Sequence, residues 1–498
     1  MRPGRLRVPS WLFPVLILAL AAILRLVHLG AENLWLDEVF SLGQAKPPLD
    51  LIAGYWDLDD QQTTRPLALV LLHWVLGFGS SEFLVRLPFA LVSILDVAAL
   101  YLVARELVDR RTSLLAALFL ALLPIHVWYA QEARWYAQWS LLTTVSFWAL
   151  LRAWKTDRTG WWLAFIAAAT LNLYTFVITL HVLVALAATV WFLPERGRRA
   201  SFRGKGLASL SVVGMLGLPA AMAALGFGGV GGADDVVGTP RPPSLVFLPY
   251  TFFAFVAGFT VGPTVAELHD LPPPTGILAE HPEVLVFVAV FGALSLAGMR
   301  ALRGRADQTA VLLPWAIGLP VLIFGSAVLG GQTFNVRYAF AAVPGVAFLL
   351  ALGVDSLGRW RVPATLLVAA LFGFSLANYY LTPKYDKEHM REAMAYVREG
   401  ADREDPVAVV GQGLPAAQHY GQELSVERLR GCRGRERDEL PPAMYHVNDL
   451  RDDPDVWLVV SRDWGDLGSD CRRELTGTHE MIDHRGFVGV EVYRLRRR

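Results

Sequence analysis

The sequence predicts an all-α polytopic membrane protein of about 11 transmembrane helices, followed by a small C-terminal α/β domain outside the cytoplasm. Three observations carry that fold class. Of the 498 residues 54% are hydrophobic and only 18% charged, and the apolar ones gather in blocks of spanning length rather than in short amphipathic stretches. Basic residues collect on every second connection between the blocks, as cytoplasmic loops require. The chain then turns polar after Pro383. Lys+Arg 45 balances Asp+Glu 45, so no net field points to a nucleic-acid partner.

The first block, WLFPVLILALAAIL, follows Arg2, Arg5 and Arg7 as a signal peptide does. No small-residue cleavage site comes after it, and Arg25, His28 and an acidic pair do, so it reads as an uncleaved first span. Further spans are expected near 82–104, 112–129, 137–153, 161–176, 177–193, 206–226, 283–299, 309–329, 338–353 and 362–380. Arg105, Arg110, Arg111, Arg152, Lys155, Arg158, Arg196, Arg198, Arg199, Arg203, Lys205, Arg300, Arg303, Arg305, Arg359 and Arg361 fall on alternate connections. The intervening, longer connections carry only Lys46, Arg65, Arg134, Arg241 and Arg337. The N-terminus is therefore expected inside and residues 384–498 outside, with the membrane part over 1–383.

Two outer connections are long. Residues 30–81 contain PLALVLLHWVLGF, too short to span comfortably and expected as an amphipathic interfacial helix with His73 and Trp74 near the headgroups. The connection over residues 227–282 opens with the glycine-rich GFGGVGGADDVVG and holds a short apolar run, SLVFLPYTFFAFVAGF. With no strand before it and no Lys-Ser/Thr after it, the glycine-rich stretch reads as a linker or gating loop, not a phosphate cradle. After Pro383, DKEHMREAMAYVREG has helical spacing, while PVAVVGQG, VWLVVSRD and GFVGVEVYRLRRR read as strands. Cys432 and Cys471 both lie in this region; a disulfide requires that it lie outside the cytoplasm.

Ionisable residues gather at the outer ends of the spans. Asp37 and Glu38 follow the first; Arg86 opens the second; Glu132 and Arg134 follow the third; Arg337 and Tyr338 open the tenth. A charge near hydrocarbon costs about 2.5–3.5 kcal/mol on insertion scales, so charges converging from distant parts of the chain point to one outward-facing cavity. A carboxylate can take a proton from a hydroxyl, and arginine grips phosphate oxygens without titrating. Plainer readings stand beside this one: a structural Glu132–Arg134 pair, and a solvated loop for Asp37 and Glu38.

Four segments bear a resemblance: LWLDEVFSL, PLALVLLHWVLGFGSSEFLVRLPFAL, LLPIHVWYAQEARWYAQ and VRYAFAAVPGVAFLLALG. In order and placement the membrane part, roughly residues 10–380, resembles the GT-C superfamily of polyprenyl-phosphate-sugar glycosyltransferases, in particular the bacterial relatives of protein O-mannosyltransferases and of lipid A aminoarabinose transferase. The resemblance implies a sugar transferase of the cytoplasmic membrane acting on its outer face. The donor is a polyprenyl-phosphate-linked sugar and the acceptor a protein, lipid or glycan. It implies Asp37 as catalytic base with Glu38 beside it, Glu132 and Arg134 as cavity residues, and Arg337 as a phosphate contact next to Tyr338. Arg86 matches an arginine of the family's second-span segment and also fits an interfacial anchor. Where many relatives have His-Pro-Pro, this chain has Arg65 and Pro66. That departure puts the histidine's metal or hydrogen-bonding role in doubt and offers Arg65 as a further phosphate contact. The resemblance implies no particular cofactor and leaves a divalent metal open; His28, His73, His126 and His181 show no tight ligand spacing.

Two other classes compete. A flippase or transporter of lipid-linked sugars predicts internal repeats and charges inside the spans. A scaffold whose outer domain binds a partner leaves the acids and arginines without a purpose.

Overall fold

A computed structural model describes residues 9–47, 49, 66–194, 202–226, 243–264, 267, 280–430, 432, 444–463 and 467–498. Arg65, Arg241, the glycine-rich stretch beyond Gly226 and the LPPPTG run lie outside the described residues. The chain divides into two compact units: Met1–Leu29, Gln44–Val265 and Leu271–Tyr380 form one, and Gly30–Gly43, Ala266–Asp270 and Leu381–Arg498 the other.

Among its described residues the first unit is helical. Its helices run over Leu12–Leu26, Pro66–Leu76, Glu82–Leu107, Arg110–Leu122, Pro124–Ala130, Tyr136–Thr156, Thr159–Leu173, Thr179–Phe192, Phe202–Leu216, Leu218–Gly226, Phe247–Ala257, Pro282–Ala301, Ala306–Leu312, Leu319–Gly330, Val343–Ser356 and Arg361–Leu381. Among the described residues five helical stretches are long and apolar enough to cross a membrane, six if the bent pair Arg110–Leu122 and Pro124–Ala130 counts as one. Other apolar helices, such as Leu12–Leu26 and Thr179–Phe192, are shorter.

Several expected spans are interrupted. The 112–129 block bends by 57° at Leu123, where Pro124 has no N–H to continue the ladder. The 206–226 block breaks at Gly217, whose missing Cβ would lie 2.3 Å from Leu173 Cδ1. Within Ala306–Gly330 a π-helical turn, Leu313–Gly318, contains Pro314. At the start of the tenth block, Val336–Ala342 is wound as a 3-10 helix before the α-helix begins.

Burial sorts these helices. Val343–Val354 is buried without interruption, whereas Pro282–Ala301 buries only Phe287, Phe291, Leu294 and Gly298 and exposes Leu285, Val286, Val288 and Leu296, the pattern of a helix facing lipid. The two meet through glycines: a Cβ on Gly298 would stand 2.4 Å from the Leu349 carbonyl oxygen, and one on Gly353 2.2 Å from that of Leu294. Small residues let backbones approach this closely.

The second unit is α/β. Its six strands, β1 (Pro406–Gly411), β2 (Ser425–Arg430), β3 (Met444–His446), β4 (Asp455–Ser461), β5 (His479–Phe487) and β6 (Val490–Arg497), form one sheet in the order β3-β2-β1-β4-β6-β5. β3, β2, β1 and β4 are parallel, and β6 and β5 are antiparallel additions. Alternation in GFVGVEVYRLRRR is therefore not one strand: Phe487 closes β5, Gly489 turns at φ +68°, and β6 follows. Cys432 and Cys471 are disulfide-bonded and sit in the buried cluster with Val410, Leu458 and Leu495.

Candidate active site

The segment carrying the acidic pair belongs to the second unit. Helix Leu36–Ala45 opens with Asp37 and Glu38 in its first turn, where negative charge meets the unbonded N–H groups. Glu38 is fully buried. Its carboxylate accepts from the Trp35 N–H at 3.3 Å, the back-bond of a capping box, and from Lys387 Nζ at 3.3 Å. Asp37 is only half-buried, and its carbonyl accepts from Ser41 Oγ at 3.0 Å. The adjacent acids thus differ in kind, one sealed against a lysine and one reaching the surface.

The rest of the segment is fastened to the start of the polar region. Leu34 N–H donates to Tyr420 Oη at 2.8 Å, and Asn33 Nδ2 donates to Glu392 at 2.6 Å and to the Glu388 carbonyl at 3.1 Å. Lys387 N–H donates to Glu32 at 3.0 Å. Burial, with Glu32 nearby, pushes the Asp386 carboxyl above the ordinary aspartate range. Arg462, at φ +52°, pairs with Glu388 at 2.5 Å and lies 5.1 Å over the Trp35 ring.

The other described candidates lie in the first unit. Arg86 is buried and donates to the Leu29 carbonyl at 3.2 Å. In the YAQEAR segment, the Gln131 side chain turns back on the end of the first helix: its Nε2 donates to the carbonyls of Leu24, Arg25 and Val27 at 3.3, 3.1 and 2.7 Å, and Tyr379 Oη donates to its Oε1 at 2.8 Å. Glu132 is fully buried and accepts from Trp128 Nε1 at 2.8 Å. The Arg134 guanidinium lies 3.6 Å over the Trp135 ring. Trp135 contacts Phe176 at 5.6 Å, and Phe176 contacts Tyr338 at 6.3 Å. Arg337, 5.9 Å from the Tyr338 ring, is therefore joined to Arg134 through one aromatic cluster.

Three charged or titratable residues escaped the sequence reading as site residues: Arg25, Asp96 and His126, all at 0–1% exposure. Their signal was present, since Asp96 stands in VSILDVAAL and Arg25 in an apolar run, and ionisable residues inside spans are rarely incidental. Among the described residues, no three of His, Cys, Asp and Glu are grouped to hold a metal ion.

A family model described as dolichyl-phosphate-mannose-protein mannosyltransferase matches residues 66–222. No curated protein matches the sequence. Among solved structures, ArnT from Cupriavidus metallidurans in the apo state is similar at TM-score 0.63 and 14% identity, over 97% of each chain. The same ArnT bound to undecaprenyl phosphate gives TM-score 0.61 and 14% identity, over 98% of each chain. The oligosaccharyltransferase AglB from Archaeoglobus fulgidus, in complex with an inhibitory peptide and a dolichol-phosphate, gives TM-score 0.51 and 13% identity, over 83% of this chain and 64% of that one. Residues 66–222 thus match the sequence pattern of that mannosyltransferase family, and the chain as a whole shares its fold with ArnT.

Proposed function

We propose that the protein is an integral membrane glycosyltransferase that moves a sugar from a polyprenyl phosphate to an acceptor on the outer face of the cytoplasmic membrane. The observation that carries this reading is the unlike pair in LWLDEVF: Glu38 is buried against Lys387 while Asp37, on the same helical turn, is only half-buried. A fold shared with a protein bound to undecaprenyl phosphate supports the choice of donor.

In the mechanism, an acceptor hydroxyl oxygen attacks the anomeric carbon and the bond from that carbon to the phosphate oxygen breaks, inverting the centre. The proton passes to Asp37, and the electron pair leaves with the polyprenyl phosphate. Arg337 and Arg134, with Arg65, stabilise the departing charge, and Glu132 and Tyr338 belong with them to the donor's phosphate end. If the acceptor is already ionised, Asp37 orients the sugar instead. The eleven-span topology, with the N-terminus in the cytoplasm and residues 384–498 outside, belongs to the same proposal and is supported by the basic alternate connections and by the Cys432–Cys471 disulfide.

The test is release of polyprenyl phosphate by purified protein supplied with a polyprenyl-phosphate-linked sugar and a hydroxyl acceptor. Asp37→Asn is expected to lower kcat by about 10²–10⁴-fold, the usual worth of a general base. Full activity in that variant sinks the base assignment, and passage of the intact donor across vesicles without transfer favours a flippase.

A further inference from the structure

The first unit encloses a polar network that the reaction as written does not use. Arg25, on Leu12–Leu26, is wholly buried, and all five of its N–H groups are taken. Nε donates to Ser93 Oγ at 2.8 Å. One terminal nitrogen donates to the carbonyls of Ala21 and Ala121 at 3.1 and 3.0 Å, and the other to the Leu120 carbonyl at 3.2 Å and to His126 Nδ1 at 2.8 Å. Because Nδ1 faces this donor, with Ser93 Oγ also 3.2 Å away, the imidazole proton sits on Nε2. There it donates to Asp96 Oδ2 at 3.1 Å. Ser140 Oγ donates to the same oxygen at 2.5 Å. A cation on one helix and an anion on another are thereby joined through one imidazole, which stacks on Phe340 at 5.8 Å.

The location explains the chemistry. Leu120 and Ala121 end Arg110–Leu122, just before the 57° bend. The N–H that the Leu120 carbonyl would receive in a continuous helix belongs to residue 124, a proline with none to give. An exposed carbonyl in a membrane interior costs several kcal/mol, and Arg25 supplies the missing donors. Beyond the bend, Pro124–Ala130 carries His126 and leads straight into Gln131, Glu132 and Arg134. Gln131 grips the same first helix at its carbonyl end. The short bent helix is therefore clamped to Leu12–Leu26 at both ends, by Arg25 through His126 and by Gln131.

We propose that Arg25, His126 and Asp96 are positioning residues for sugar transfer: they hold the bend at Leu123–Pro124 and so set where the segment bearing Glu132 and Arg134 begins. This rests on the glycosyltransferase reading. Asp96 holds the tautomer of His126, and Arg25 holds its direction.

The triple variant Arg25→Met, Asp96→Leu, His126→Phe tests the role, because replacing a buried ionic group as a whole by apolar residues is often neutral for stability. The expected result is a folded protein whose thermal midpoint is lowered by the loss of donors to the Leu120 and Ala121 carbonyls, with unchanged KM for the lipid donor and kcat, read well below that midpoint, lowered by about 10²-fold, the cost of roughly 1 Å of misplacement. Where the triple variant does not fold, His126→Gln and His126→Leu decide. Glutamine offers one acceptor and one donor, so kcat retained by Gln and lost by Leu at equal thermal midpoints supports the role, and equal kcat in the two overturns it. Wild-type kcat in a folded triple variant overturns the positioning role alone. An inactive wild-type protein overturns the transferase reading, and the role with it.

Discussion

Asp37 and Glu38 are neighbours in the chain and opposites in environment. A helix N-terminus welcomes both charges, but only Glu38 is sealed from water, with Lys387 Nζ at 3.3 Å. Removing one member of a buried ion pair is costly because it leaves the other with its desolvation uncompensated, whereas removing both charges is often nearly neutral. Lys387→Met is therefore expected to destabilise the protein by about 3 kcal/mol, and adding Glu38→Gln to recover most of the loss. Thermal unfolding of the purified single and double variants checks this; equal stability of Lys387→Met and wild type contradicts it. The acidic pair was legible as a motif. Which acid is buried was not, because Lys387 lies 349 positions away.

Helices were visible in the sequence as apolar blocks, and their interruptions were not. Hydropathy averages over a window, so one proline or glycine inside an apolar block scarcely alters it, yet each removes a donor or admits a neighbouring backbone. Gly298 and Gly353 show the second effect, with virtual Cβ atoms 2.4 and 2.2 Å from facing carbonyl oxygens. Gly353→Val is expected to push Pro282–Ala301 and Val343–Ser356 apart and cost about 1–3 kcal/mol. Gly292→Ala, on the first of these helices and with nothing within 4 Å of its Cβ position, is expected to be neutral or slightly stabilising. Thermal midpoints of the two variants in one detergent provide the comparison, and equal midpoints contradict the packing account.

On the scale of the molecule, two kinds of unit are built from one chain: a helical part whose apolar surface suits lipid, and a water-suited sheet domain with a disulfide. Cys432 and Cys471 close 39 positions of chain within the buried core of the sheet. Cys432→Ser with Cys471→Ser is expected to weaken that domain by about 2–4 kcal/mol, read as a lowered unfolding midpoint of the second unit; wild-type protein in reductant should follow the same curve. An unchanged midpoint contradicts this. By itself the sequence determined the helical membrane part, the polar α/β region and the motif residues, because apolar period, block length and composition are local properties that a chain carries unfolded. Only the tertiary structure decided that Gly30–Gly43 belongs to the second unit, and that Arg25 meets His126 across 101 positions. Those pairings exist only where folding closes long loops and burial forces each desolvated charge to find its counterpart.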